Sequence, residues 1–343
     1  MKKYGKEYDK NLMKIKSGFE QKNDEFLLQS NRVVEEYLKQ PKRRACKMCG
    51  KIFDDSTVCF QSHSVIYYYC TRCHHLNGER EETVSFSNST YIEEDYNLFY
   101  NEQTIQDYLN RVQTIYKPKM DFLLDCLKEE NVNENDIKVL DVGAGSGYFV
   151  KAGVMSNIDI TGVEISQKQV DFGNKMLDQK LIKKIEIDET ESYLKETKCN
   201  VISMIGVMEH LVDFHQILKT IKENKNIKFL YFSVPMFSFS SIFETIFQDG
   251  YNRHMSGDHT HLFTNDSIKY MNHIYDFKEI SSWEFGTDMM DLYRLMMVHL
   301  SKQKTNKDLC TILNAKLLPI INNLQLIIDR SEFCSEIHML VKK

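Results

Sequence analysis

Apolar positions along the chain change their period three times. Residues 1–40 place Leu12, Ile15, Phe19, Phe26, Val33, Val34, Tyr37 and Leu38 at roughly helical spacing among Lys, Glu and Asn. That spacing predicts one or two amphipathic helices, ended by Pro41. From Cys46 to about Gly78 the texture becomes short aromatic strands between paired cysteines, followed by a polar link from Ser85 to Thr90. Residues 105–130 return to a helical pattern with Ile105, Tyr108, Leu109, Val112, Ile115, Met120, Leu123, Leu124 and Leu127. Short apolar runs then follow at Ile137–Val142, Ile158–Ile165, Ile185–Ile187, Val201–Val207 and Ile227–Val234, separated by amphipathic helical stretches. This alternation predicts parallel βαβ units and an α/β, Rossmann-like doubly wound sheet. Two later strands, Phe277–Phe285 and Cys334–Val341, flank a Met- and Leu-rich helical region from Met289 to about Ile328 that contains Pro319. The expected organisation is a helical segment (1–44), a small separate cysteine module (45–80), a link with helices (81–118) and an α/β domain (119–343).

Composition narrows the class. The chain has 343 residues, a net charge of -5, 42% hydrophobic and 27% charged residues, which excludes disordered and fibrous classes. Its pI of about 6.1 supplies no overall field for polyanions, so nucleic acid is not the expected partner. No apolar stretch follows the basic Met1–Lys6, so no signal peptide is expected. The most apolar segment, Phe229–Phe247, contains Pro235 and several Ser and Thr residues, and no transmembrane span is expected. A cytoplasmic protein follows, whose nine cysteines serve as thiols or metal ligands rather than disulfides.

The cysteine spacing favours ligands. Cys46-x2-Cys49 and Cys70-x2-Cys73 are two knuckles of soft thiolates able to surround one tetrahedral zinc. A four-cysteine site is coordinatively closed, so a structural zinc ribbon is expected. His74 and His75 read as surface residues, Cys59, Cys126, Cys199, Cys310 and Cys334 as buried small hydrophobes, and Lys42-Arg43-Arg44 as a solvated link.

The sharpest chemical signal is Val139-Leu140-Asp141-Val142-Gly143-Ala144-Gly145-Ser146-Gly147-Tyr148, a buried strand, three alternate glycines and a helix start. Glycine permits a tight turn and close approach of a ligand. Glu164 ends the next strand, where a carboxylate faces the ligand crevice and can accept hydrogen bonds from both ribose hydroxyls. A nicotinamide dehydrogenase would carry G-x-G-x-x-G against a pyrophosphate, whereas this loop reads D-x-G-x-G-x-G. It resembles motif I of the class I S-adenosylmethionine-dependent methyltransferases. Cys199–Leu211 resembles that superfamily's fourth-strand motif, and Tyr231-Phe232-Ser233-Val234-Pro235 its fifth strand.

The resemblance covers roughly residues 120–290 and implies a seven-stranded sheet with one antiparallel member. It implies S-adenosylmethionine as cofactor, lined by Asp141, Gly143, Gly145 and Gly147, with Glu164 on the ribose and Asp188 at the adenine edge. In the ubiquinone-biosynthesis O-methyltransferases the fourth-strand motif reads E-x-x-E-H and accompanies a divalent metal. Here Gly206 takes the first Glu position. That departure argues against a metal-dependent mechanism and reads Glu209-His210 as a structural pair.

Methyl transfer from a sulfonium mainly requires positioning the acceptor and removing its proton. Asp258-His259-Thr260-His261-Leu262-Phe263-Thr264 resembles the E-H-x-x-x-F-S segment of sugar C-methyltransferases, Asp258 and His259 matching its Glu and His. His259 is the expected general base, Asp258 its orienting or acceptor-contacting partner, and His261 the second candidate, while Thr264 caps the next helix. Phe237, Phe239, Phe243, Phe247 and Tyr251 read as a lid, a dimer surface or core, and Asp288 as an acceptor contact or a helix N-terminal residue. A zinc ribbon ahead of a methyltransferase core resembles both sugar methyltransferases and a group of ribosomal-RNA guanine methyltransferases. The expected function is methyl transfer to a small hydroxylated acceptor, a nucleotide-linked or surface-glycan sugar. The alternatives are an RNA-modifying enzyme whose ribbon docks nucleic acid, and a non-catalytic cofactor-binding scaffold.

Overall fold

A computed structural model of the chain describes residues 2–6, 22–93, 104–255, 259–303 and 307–343. Its strands in chain order are β1 (Lys2–Tyr4), β2 (Val58–Ser62), β3 (Val65–Tyr69), β4 (Leu76–Gly78), β5 (Lys138–Val142), β6 (Asp159–Glu164), β7 (Ile182–Lys184), β8 (Val201–Ile205), β9 (Phe229–Pro235), β10 (His261–Leu262), β11 (Lys278–Phe285) and β12 (Glu336–Lys342). Eight of them form one sheet in the order β1-β11-β12-β9-β8-β5-β6-β7. Only β12 runs antiparallel to its neighbours. Side chains alternate between two cores: Val139, Val201 and Tyr231 enter one, and Leu140, Ile202 and Phe232 the other. Helices cover both faces, which is why these strands read as continuous apolar runs. The strand order reverses between β5 and β8, and a crevice opens there beyond their carboxyl ends.

The structure departs from expectation at both edges. The sheet has eight strands rather than seven, because Lys2–Tyr4 is a strand on the outer edge of β11 and not part of a helix. The Trp283 indole N–H donates to Gly5 O at 2.8 Å, and the Lys3 ammonium lies 4.0 Å from the Trp283 ring centre. The helix expected near the N-terminus spans Asn23–Leu38, while Leu12, Ile15 and Phe19 lie outside the described residues. At the other edge β7 lies three residues ahead of the expected Ile185–Ile187. The Asn174 side chain binds both the N–H and the C=O of Ile182, at 2.9 and 2.8 Å, and so anchors the strand there.

The cysteine module is not separate. Its strands form a second sheet, β10-β4-β3-β2, whose fourth member comes from the α/β domain: His261 pairs with Asn77, and Leu262 with Leu76. Cys46, Met48, Cys70 and Cys73 share one apolar cluster with Met204, Phe214 and Phe263 of the large sheet's layer. His75, expected on the surface, is fully buried in this interface, and Cys59, expected inside, is exposed.

Phe229–Phe247 forms β9 and the helix Phe239–Ile246. One described helical stretch, Asp308–Arg330, is long and apolar enough to cross a membrane by length and composition only, with a mean hydropathy of 1.3 in its 18-residue window and 11% of that window buried. It breaks into Lys307–Leu317 and Ile321–Arg330 at Pro319, and Ile321 packs with Tyr293 and Met297.

Trp283 is the chain's single tryptophan and reports on the β1 edge. Deleting residues 1–6 leaves its indole N–H unpartnered, and the expected loss is about 1–3 kcal/mol with a red-shifted emission. Urea unfolding followed by tryptophan fluorescence measures both, and unchanged values would show that β1 does not hold this edge.

Candidate active site

At the strand-order reversal, β5 runs into the glycine loop. Gly143 has φ +68, and a Cβ there would stand 2.6 Å from Val207 Cγ2, so only glycine lets the loop approach the end of β8. The Gly145 N–H donates to Glu164 Oε2 at 2.8 Å, and the Ile165 and Ser166 N–H groups donate to Oε1 at 2.8 and 2.9 Å. Glu164 therefore shapes the loop while facing the crevice. Burial pushes its carboxyl above the usual range even though these N–H groups favour the charged form. Asp141 accepts the Ser203 hydroxyl at 2.6 Å, and burial, reinforced by Glu164, raises its carboxyl to about 7.

Asp141, Gly143, Gly145 and Glu164 line one cleft of about 260 Å³. Gly147 does not line it: with φ +74 it packs against Ile182, which a Cβ would approach to 2.6 Å. Asp188 is absent from the lining too, because the shift of β7 brings Ile185, Ile187 and Thr190 there instead. Sequence reasoning missed these three, and it missed Gln169, which accepts the Ser146 hydroxyl at 2.6 Å and stands five residues beyond Glu164. It also missed Tyr91 and Tyr116, which reach the cleft from the segment before the sheet and carry no motif.

The acceptor-side candidates separate. His259 is half-buried and stacks on His210, with ring centres 5.2 Å apart. Glu209, His210 and His259 each offer a ligand atom within 4.8 Å of the others, and His210 lines the cleft. The pair read as structural thus belongs to a cluster at the cleft. Asp258 lies outside the described residues. His261 does not face the cleft: as part of β10 it is buried against the cysteine module, its Nδ1 2.9 Å from His75 Nε2. Burial, aided by Lys47, holds it neutral, far below the usual histidine value. Asp288 is also buried away from the cleft, accepting from Ser240 N and Ser335 N at 2.9 and 3.1 Å. The aromatic residues from Phe237 to Tyr251 line no part of the cleft, and Phe237 packs on Phe60 and Tyr69 of the cysteine module. Thr264 caps the helix Asn265–Ile274 as its sequence implies.

The four cysteine sulfurs converge within 4.8 Å, with Cys46–Cys73 and Cys49–Cys70 each at 3.5 Å. Bonds of about 2.3 Å to a tetrahedral ion place sulfurs about 3.8 Å apart, so the set fits one such ion. Between these knuckles and the cleft lies a buried charge cluster. Arg43 donates twice to Glu82 at 2.7 Å, and Lys47 binds Glu82 at 2.9 Å and Leu211 O, on the cleft wall, at 2.7 Å. The expected solvated link is therefore buried at Arg43.

Residues 108–282, slightly more than half of the chain, match the profile of a family described as "Methyltransferase domain". A comparison with curated proteins gave no match. Among solved structures, a SAM-dependent methyltransferase from Archaeoglobus fulgidus is similar at 15% identity, covering 73% of this chain and 100% of its own, with a TM-score of 0.45. The magnesium protoporphyrin IX methyltransferase of Synechocystis PCC 6803, solved with bound SAH, is similar at 11% identity over 72% and 91% of the two chains, with a TM-score of 0.43. The geranyl diphosphate C-methyltransferase of Streptomyces coelicolor A3(2) is similar at 11% identity over 70% and 85%, with a TM-score of 0.40.

The charge cluster supplies this site's test. Glu82, Arg43 and Lys47 side chains are 6%, 6% and 8% exposed, so Glu82→Gln strands two buried cations. The expected cost is about 3–5 kcal/mol in urea unfolding at neutral pH. A loss below about 1 kcal/mol, the worth of an exposed pair, would contradict the buried interface.

Proposed function

The chain belongs to the methyltransferase-domain family and is an S-adenosylmethionine-dependent methyltransferase, and from that premise we propose that its acceptor is a small hydroxylated metabolite, a nucleotide-linked or surface-glycan sugar. The carrying observation is one cleft lined by Asp141, Glu164 and His210, with His259 outside the lining but stacked on His210. Glu164 receives the ribose hydroxyls, and the hydrophobic Ile185 and Ile187 flank the adenine. Transfer is an in-line displacement: the acceptor oxygen forms the new bond to the methyl carbon while the S–C electron pair passes to sulfur. The protein's share is to orient the two partners and to take the hydroxyl proton, and His259 has that second part.

A small acceptor is favoured over RNA by the fate of the basic run. Arg43 is consumed by Glu82 inside the protein, and among the described residues the cleft lining includes no Lys or Arg to hold a phosphate backbone. The ribbon's part in this reading is structural, one zinc held by Cys46, Cys49, Cys70 and Cys73, with no open position for chemistry.

Two measurements test the reading. Release of S-adenosylhomocysteine is expected with nucleotide-linked sugars and not with structured RNA, and His259→Ala should lower turnover about 10²-fold or more while leaving S-adenosylhomocysteine affinity intact. Turnover on RNA alone, or undiminished turnover in the variant, would overturn it.

A further measurement concerns Asp141, whose carboxyl rises from 3.8 to about 7 on folding. The folded apo protein keeps a proton that the unfolded chain gives up, so this group's contribution to stability declines as pH rises through that window. A cofactor bearing sulfonium and ammonium charges favours the ionised form. Binding of S-adenosylmethionine should release a proton at about pH 6 and tighten toward about pH 8. Calorimetry in two buffers of different ionisation enthalpy reads that proton, and Asp141→Asn should remove the buffer dependence.

A further inference from the structure

We propose that the exposed face of the helix Lys307–Leu317 is the contact through which two copies of this chain form a twofold-symmetric dimer. The inference goes beyond the reaction and is independent of the acceptor. This helix is apolar on both sides. Cys310, Leu313 and Leu317 turn inward and pack with Tyr293 and Met297 of the helix Asp288–Ser301. Leu309 and Ile312 turn the other way and are 46% and 55% exposed, and Ile320, just past the helix end, is exposed as well. A surface helix with a polar outer face is complete once its inner face is covered, whereas one that is apolar all round is ordinarily enclosed.

The charges on that face select a second copy as its occupant. At about 100° per residue, Asp308, Leu309, Thr311, Ile312, Ala315 and Lys316 share one side of the helix, with Ile312 near the middle, and all six are exposed. Residues 308–317 carry two charges, Asp308 and Lys316, four positions to either side of Ile312. A twofold axis at Ile312 runs two such helices antiparallel and brings Asp308 of each copy level with Lys316 of the other. Opposite charges then meet twice, and Leu309 comes level with the small Ala315, so the face is complementary to itself. A parallel pair would set like charges side by side and is disfavoured.

A lipid bilayer fits the same face less well. The apolar stretch breaks at Pro319, and an 11-residue helix is about 17 Å long, short of the roughly 30 Å of a hydrocarbon core. A helix lying in the membrane surface sets a Lys- and Arg-rich polar side against the headgroups. Here the side opposite Ile312 is packed on protein, and the one Lys of the exposed side is balanced by Asp308.

Sedimentation equilibrium of the full chain decides the matter. A mass of twice the 40.4 kDa chain is expected, and Ile312→Glu, which sets two carboxylates against one another on the axis, should give the monomer. Asp308→Lys should weaken the dimer about tenfold or more, and Asp308→Lys combined with Lys316→Asp should restore it. S-adenosylhomocysteine affinity should be unchanged in all three variants, since none of these residues lines the cleft, and it reports that each variant is folded. A monomer at about 100 μM chain, or a dimer that neither Ile312→Glu nor Asp308→Lys weakens, overturns the proposal. A monomer that binds vesicles of phosphatidylcholine and phosphatidylglycerol, and loses them in Ile312→Glu, overturns it too by giving the face to lipid.

Discussion

Glu82, buried between Arg43 and Lys47, is the contact on which the acceptor side of this protein depends. Burial by itself raises a carboxyl's pKa, but the two cations outweigh it and hold Glu82 well below the usual range, so the group stays ionised in the interface. A charge in that position tolerates little movement, because any partner that withdraws leaves the others unpaired. Lys47 follows Cys46 in the first knuckle and also binds Leu211 O on the cleft wall, while Glu82 accepts the Thr260 hydroxyl next to His259. The cysteine module, the cleft wall and the histidine segment are thereby fixed to one another. The backbone pairing of β4 with β10 adds a second tie one residue further on.

The cysteine module accordingly bears on the cleft wall at a distance. Its sulfurs lie in the same apolar cluster as Met204 and Met208, which precede the Glu209–His210 turn, and His215 Nε2 meets Lys47 O at 2.8 Å just beyond it. Loosening the knuckles would therefore disturb His210 from one side and His259 from the other. This gives a small four-cysteine module a reason to sit beside a cleft that none of its described residues lines: it braces two loops that the large sheet reaches only at strand ends.

What the sequence disclosed follows the range of the interactions involved. The glycine loop and Glu164 were readable because their chemistry is local: three glycines, a preceding strand and a carboxylate at the next strand's end suffice. The knuckles were readable for the same reason, since each is two thiols on one turn. His75 and His261 were not, because their burial comes from one another across 186 residues of chain, and no local pattern states which strand will lie beside β4. Asp188 was displaced by Asn174, whose side chain fixes where β7 begins, a contact between a helix and a strand that periodicity does not encode. The extra strand β1 is a similar case: three residues are too few to show a period, and Trp283 rather than their own sequence holds them at the edge.

The cleft's charge connects cofactor choice with product release. Asp141 and Glu164 line it, Glu209 lies beside His210, and among the described residues no Lys or Arg is in the lining. The carboxylates of this surface repel a dinucleotide's pyrophosphate, whereas they attract a sulfonium and an ammonium group. Transfer itself removes one positive charge, since the sulfonium becomes a neutral thioether. The electrostatic attraction that helps to draw the cofactor in is thus reduced by the reaction, and in a low-dielectric cleft that change favours departure of the spent cofactor over its return.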